Sequence, residues 1–272
     1  MKHLLTLAAL LVSTLSLQAQ TVDDYQPDSD GDGCVGMSDL LSLLSVFGSC
    51  ETQAFACGDP ISYQGYDYST VQIGGQCWFA ENLRSENYEN GDSILANLSD
   101  SEWINTSSGA VAVYGEGSTL CFNNSPDGDA CDEAWSLNEY GRLYNWYAVV
   151  DVRGLCPSGW HVPTDGEWTV LTDHLGGTSV AGAQMKTDYG WYEGGNGTNS
   201  SGFSGLPGGD RYYDAGDGYF PNAGMHGRWW SSSPNGSFAY YRNIYSGWDA
   251  CVRTHDLPRT GHSVRCIQDS EE

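Results

Sequence analysis

The hydrophobic pattern changes character several times along the chain. Met1-Lys2-His3 is a short basic start, and Leu4 to Leu17 follows as an apolar run. That run falls short of the roughly 20 residues a membrane-spanning helix needs, and Leu17-Gln18-Ala19 ends on a small residue. Residues 1–19 therefore read as a signal peptide cleaved after Ala19, with an N-terminal membrane anchor as the alternative.

The next segment is acidic and periodic in a different way. Asp28-Ser29-Asp30-Gly31-Asp32-Gly33-Cys34-Val35-Gly36-Met37-Ser38-Asp39 places carboxylates at loop positions 1, 3, 5 and 12, with Gly33 at position 6. Calcium takes many hard oxygen ligands, and a tight loop with a glycine at its sharpest turn can aim alternate residues at one ion. Asp28, Asp30, Asp32 and Asp39 are the expected ligands, joined by the backbone carbonyl of Cys34. Water is expected at Gly36, and Val35 is expected to pack beneath the loop. An apolar helix from Leu40 to Gly48 follows, with Gly48 as its stop. Loop and helix, assigned to residues 20–52, resemble one half of a dockerin repeat, in which an aspartate commonly closes the loop. Dockerins carry two such halves, and one is found here. The competing reading is an acidic, solvated turn.

Residues 53–60 read as a linker, and the larger domain is expected over 61–269. Its pattern is short-range and turn-rich. Tyr68 to Phe79 alternates apolar and polar positions around Gly74-Gly75, which predicts a hairpin. Ser85 to Cys131 is rich in Ser, Asn, Gly and Asp and reads as loop with short strands. Tyr140 to Val150 fits a short helix or a buried strand. Thr164-Asp165-Gly166-Glu167 is a capping box, and Trp168, Leu171 and Leu175 follow at helical spacing up to Gly176-Gly177. A shorter helix is expected over 179–186, and glycine-split apolar pieces complete the chain. The fold class is α+β with small antiparallel sheets.

Composition narrows the function. The 272 residues carry 35 acidic against 11 basic side chains, a net charge of −24. That excludes nucleic acid and anionic membrane surfaces as partners and leaves cations, neutral ligands such as glycans, and basic proteins. Thirty-five glycines favour turns over long helices. Nine cysteines fit an oxidising compartment, and no C-x-x-C or zinc-type spacing occurs. Connectivity is open, but short loops favour Cys34–Cys50, Cys57–Cys77 and Cys121–Cys131. Cys156 and Cys266 bracket the last part of the domain, which leaves Cys251 single.

Tyr140-Gly141-Arg142-Leu143-Tyr144-Asn145-Trp146, then Leu155-Cys156-Pro157-Ser158-Gly159-Trp160-His161-Val162-Pro163-Thr164-Asp165-Gly166-Glu167-Trp168, carry a family resemblance. With Gly202-Phe203-Ser204-Gly205-Leu206-Pro207-Gly208-Gly209, Trp229-Trp230-Ser231-Ser232-Ser233 and Ser263-Val264-Arg265-Cys266, they resemble the Fibrobacter succinogenes major paralogous domain family from about Val71 onward. The resemblance implies an exported bacterial protein and a C-type-lectin-like fold, more firmly than it implies an activity. In that frame Trp160 and Trp168 are expected in the core, Cys156 is expected to bond Cys266, and Arg265 is expected to pair with a carboxylate.

One aromatic cluster could bind a ligand. Trp229, Trp230, Tyr240, Tyr241, Tyr245 and Trp248 lie within twenty residues, mixed with Asn235, Arg242, Asn243 and Asp249. Aromatic faces stack on sugar rings while amides and carboxylates bond the hydroxyls. The alternative is that these rings pack a domain poor in aliphatics. Ser233-Pro234-Asn235 and Gly247-Trp248-Asp249 depart from the triplets by which calcium-dependent lectins hold sugar. Catalysis has little support. Formylglycine-generating oxidases share the lectin-like fold but need a close cysteine pair, whereas Cys251 and Cys266 stand fifteen residues apart. No H-E-x-x-H or G-x-S-x-G pattern occurs. The expectation is an exported, non-catalytic recognition or adhesion protein for polysaccharide or a cell-surface protein, with bound calcium. The alternative is a structural or assembly protein that docks through its N-terminal module, and an oxidase is the third reading.

Overall fold

The structure, a computed structural model, describes Asp28 and residues 31–46, 55–118, 120–213 and 218–270. The expected signal peptide, Asp30, Cys50 and Gly48 lie outside the described residues. Compactness divides the chain into two units, 1–54 and 55–272.

In the first unit, α1 spans Met37–Val46. It starts three residues before the apolar run because Asp39 returns its carboxylate to the Gly36 amide at 2.7 Å, the back-reaching half of a capping box. Val35 is 69% exposed, so the expected packing beneath the loop does not occur.

The second unit begins inside the expected linker, because Cys57 is bonded to Cys77. Strands β1 (Ile61–Tyr63) and β2 (Tyr66–Tyr68) form a hairpin, and β3 (Thr70–Ile73) and β4 (Gln76–Phe79) form the one predicted around Gly74-Gly75. Helix α2 (Asp100–Asn105) follows, then β5 (Val111–Val113) and β6 (Cys121–Asn123). Next come α3 (Glu133–Tyr140), β7 (Arg142–Tyr144) and α4 (Trp146–Val149), so the segment read as helix or strand holds one of each. Strand β8 (Trp160–His161) leads into α5 (Asp165–His174), whose capping box between Thr164 and Glu167 forms as predicted. After α6 (Ala181–Met185) come β9 (Phe220–Ala223) and a long hairpin of β10 (His226–Asn235) and β11 (Phe238–Tyr245). Then β12 (Cys251–Asp256), β13 (His262–Ser263) and β14 (Ile267–Gln268) close the unit.

The fold is mixed α+β, but its main sheet is neither small nor purely antiparallel. Six strands lie in the order β12-β11-β10-β13-β7-β5, with β10 and β13 parallel. The reason is the returning C-terminal segment: Ser263 pairs with Trp229 on one side and Leu143 on the other. A second sheet, β3-β4-β14-β8, joins the start of the unit to its end. The disulfides Cys57–Cys77, Cys121–Cys131 and Cys156–Cys266 form. Cys34 bonds no described cysteine, and its expected partner Cys50 is outside the described residues.

Aromatics fill the core, as a chain with few long aliphatic runs requires. Trp78, Trp103, Trp168, Trp191, Trp229 and Trp230 are fully buried. Trp160 is only half-buried, because β8 is an edge strand and its ring covers Phe79 at 4.9 Å. Arg265 departs from expectation more sharply. It is completely buried, yet it meets no carboxylate: its guanidinium donates to Asn82 Oδ1 and to the carbonyls of Phe79, Phe203 and Ser204. Four neutral acceptors solvate the charge and tie three loops together. Burial lowers its pKa but leaves it a cation at neutral pH.

Candidate functional site

Strand alternation decides which members of the aromatic cluster reach solvent. Along β10, Trp229 and Trp230 point to opposite faces, and both faces are covered. Trp229 packs on Phe203 (5.5 Å) and Trp168 (6.5 Å), and its indole donates to Asn82 at 2.8 Å. Trp230 donates to the Tyr144 carbonyl at 2.8 Å and lies against His262 (4.4 Å) and Tyr241 (5.9 Å). Neither ring presents a face to a ligand, which corrects the expectation for both. Tyr241 and Arg242 are buried as well. Arg242 is turned toward α5, where it meets Asp165 at 2.6 Å and Thr169 at 3.0 Å. Arg253 binds the other oxygen of Asp165 at 2.8 Å. Burial alone raises the Asp165 pKa, but hydrogen bonds from Arg253 and Arg242 outweigh it and hold the carboxyl below its usual range. Arg242 is thus a structural partner of the helix.

Four of the expected residues do reach the surface at one end of the hairpin. Trp248 is 58% exposed and stands edge-on to Tyr245 at 5.2 Å. Tyr245 in turn lies over His226 at 4.7 Å. Asn243 accepts from Arg228 Nε at 3.3 Å and contacts His226 Nδ1 at 2.9 Å, and Asp249 is exposed beside Trp248. Arg228 is anchored from behind by fully buried Asp210 at 2.8 Å. Burial and the neighbouring Arg228 charge lower the His226 pKa, so its imidazole is neutral at pH 7. Asn235 and Tyr240 do not join this patch. Asn235 pairs with Phe238 at the far end of the hairpin, roughly 25–30 Å away at the usual rise per residue. Tyr240 lies beneath Arg253, whose guanidinium is 3.8 Å from its ring.

The loop that carries Trp248 is fastened by a residue that sequence reasoning passed over. Lys186 is buried, and its ammonium donates to the carbonyls of Gly195 (2.6 Å), Trp248 (3.1 Å) and Ser246 (3.2 Å). Burial lowers its pKa. It is the one lysine beyond Lys2 in the sequence, and that rarity is the signal that could have marked it. His226 was missed because nothing in its neighbours' pattern sets a single histidine apart.

The chain belongs to the Fibrobacter succinogenes major domain family. The family model matches residues 71–268. That span contains both large sheets, the exposed patch and its lysine clamp, so the surface described above is part of the Fibrobacter succinogenes major domain itself. No curated protein and no solved structure matches the chain.

Three further groups in the chain bear on chemistry. In the second unit, His161 sits between Glu167 (Nε2, 2.8 Å) and Asp269 (Nδ1, 2.5 Å). The Glu167 hydrogen bond raises its pKa against the cost of burial, and Asp269 adds to the rise. Its nitrogens face opposite carboxylates, so the three groups do not converge on one ion. Among the described residues no group of three or more His, Cys, Asp or Glu side chains stands ready to hold a metal. Cys251 is fully buried and unpaired, and burial pushes its thiol up to about 12. In the N-terminal unit, Asp28 accepts from the amides of Gly31 (2.8 Å), Asp32 (3.1 Å) and Gly33 (2.8 Å), and Asp32 accepts from Cys34 at 2.8 Å. Gly31 and Gly33 have φ of 74° and 84°, the left-handed conformation that a tight acidic loop requires. Of the expected ligands, Asp28, Asp32, Cys34 and Asp39 are described and Asp30 is not.

Proposed function

We propose that this protein is an exported, non-catalytic recognition protein that binds polysaccharide through Trp248, Tyr245, His226 and Asn243. The observation that carries the reading is the exposed Trp248 ring, held edge-on to Tyr245 while its own backbone is clamped by Lys186. A preordered aromatic face loses little entropy on binding, and Asn243 and Asp249 supply hydrogen-bonding groups beside it. Three disulfides among the described residues fit an extracellular setting. No helix among the described residues is long and apolar enough to cross a membrane. The buried thiol of Cys251, raised to about 12, and the Cys156–Cys266 bond speak against a reactive cysteine pair. We read the domain as C-type-lectin-like, a reading supported by the pairing of its opening and closing strands, Trp78 with Ile267.

The acidic loop completes the reading as a calcium site of Asp28, Asp30, Asp32 and Asp39 with the Cys34 carbonyl. The donor chemistry and the left-handed glycines fit such an ion, which would supply charge balance and stiffness to the loop. Titration calorimetry of the mature chain should give a calcium site that disappears in Asp32→Ala; unchanged heat in the variant removes it.

A second reading has its own observation. Met37, Leu40 and Leu41 on α1 are exposed, together with Val35, and an exposed apolar helix face fits docking onto a protein. A glycan array run with and without chelator separates the two. Chelator-insensitive glycan binding supports the aromatic patch, and protein capture without any glycan binding favours docking.

A further inference from the structure

At the opposite end of the β10–β11 hairpin, a second site is built around Arg259. Every other arginine of the chain is engaged. Arg84, Arg142, Arg153, Arg211, Arg228, Arg242 and Arg253 each meet a carboxylate, and Arg265 meets four neutral acceptors. Among the described residues, Arg259 alone of the arginines has no ion pair or hydrogen bond. It is not simply a solvated surface group. It is half-buried in a depression of about 170 Å³ lined by Tyr147, Tyr213, Ser237, Leu257 and Pro258. That volume suits a single six-membered ring, since a cavity of about 150 Å³ admits benzene.

The turn that carries Arg259 is held by backbone hydrogen bonds, and the polar side-chain atoms of the lining bond no described residue. The Arg259 guanidinium lies 5.6 Å from the centre of the Tyr213 ring. The Pro258 carbonyl accepts from the Trp146 amide at 2.8 Å, and the turn closes with Thr260 N to Leu257 O at 3.0 Å. Neither tyrosine hydroxyl nor the Ser237 hydroxyl bonds a described residue. The pocket therefore offers a fork of cationic donors, two aromatic rings and three hydroxyls.

We propose that this pocket binds one ring bearing one carboxylate. The guanidinium takes the carboxylate in a two-pronged pair, and the tyrosines hold the ring. The net charge of −24 rejects polyanions at long range, so the ligand carries its negative charge singly. That chemistry has two sources, a uronic acid residue of a glycan or a small aromatic acid. The site is separate from the Trp248 patch and does not depend on it.

Ligand-observed NMR on the mature chain, with methyl glucuronide, benzoate and methyl glucoside as probes, tests this. At least one of the two acids is expected to bind in the millimolar range, and which one it is identifies the source. Methyl glucoside should bind at least tenfold more weakly than methyl glucuronide if the sugar acid is the source. Arg259→Gln should lose acid binding at least tenfold, Arg259→Lys should recover part of it, and Trp248→Ala should leave it unchanged. Arg259 makes no ion pair or hydrogen bond to a described residue, so its variants should melt within a few degrees of the wild type. Binding of neither acid, or acid binding that survives Arg259→Gln, overturns the proposal.

Discussion

The ammonium of Lys186 donates to the carbonyl of Trp248 at 3.1 Å, so a fully buried charge holds the backbone of one of the most exposed aromatic residues in the domain. The same ammonium takes two further carbonyls, from Gly195 and Ser246. It draws separate loops onto one point, and its cost of burial is offset by those three bonds, the nearby Trp191 ring at 5.4 Å and the attraction of the Asp249 carboxylate.

Lys186→Met keeps the volume of the stem and removes the donors. One buried and two part-buried carbonyls then lose their partner, which should destabilise the domain by about 2–3 kcal/mol. Urea unfolding measures this, and a loss below about 0.5 kcal/mol would mean that the carbonyls are satisfied without the ammonium.

Asp165 joins helix α5 to the main sheet through two arginines, and Arg242 behind it is buried. Asp165→Asn leaves the Arg242 charge uncompensated. The expected loss is about 2–4 kcal/mol, reduced from the fully buried case because Asp165 keeps some solvent contact. Arg253→Gln removes only the more exposed partner and should cost less than 1 kcal/mol. Equal losses in the two variants would refute the unequal roles assigned to these arginines.

The helix-capping predictions were legible because they rest on local chemistry. Thr164 and Glu167 cap α5 as the pattern reads, and the Gly74-Gly75 hairpin forms. The same signal at Ser99-Asp100-Ser101-Glu102 caps α2 but stands out less, since a helix of six residues inside a polar stretch has too few turns to display a period. The aromatic cluster was harder. Sequence proximity placed Trp229, Trp230, Tyr241 and Arg242 with Tyr245 and Trp248, but alternation alone does not say that both faces of a strand are covered. Rings from distant segments cover them, Trp168 and Phe203 on Trp229 and His262 on Trp230. Arg265 was misjudged for a related reason: a buried guanidinium can be solvated by carbonyls from distant loops, which leave no mark in the sequence.

The His161 pair gives stability a pH dependence with a definite sign. Its folded-state pKa is raised, first by Glu167. The contribution is therefore full below the ordinary histidine pKa of about 6.5 and is lost as pH rises through the raised value. The His226 pKa is lowered, which favours the opposite trend, so the test is a difference. Between pH 6 and 8, wild type minus His161→Gln should fall in unfolding free energy. A difference that stays flat or rises removes the ion-pair role of His161.

The central claim is that Trp248 and Tyr245 form a ring-binding face. Affinity electrophoresis through gels containing neutral polysaccharides tests it most directly, with the wild type and Trp248→Ala run side by side. At least one polysaccharide should retard the wild type, and Trp248→Ala should weaken that interaction about tenfold or more, ~1.4 kcal/mol. A wild type that no polysaccharide retards, or a variant retarded equally, would contradict the account.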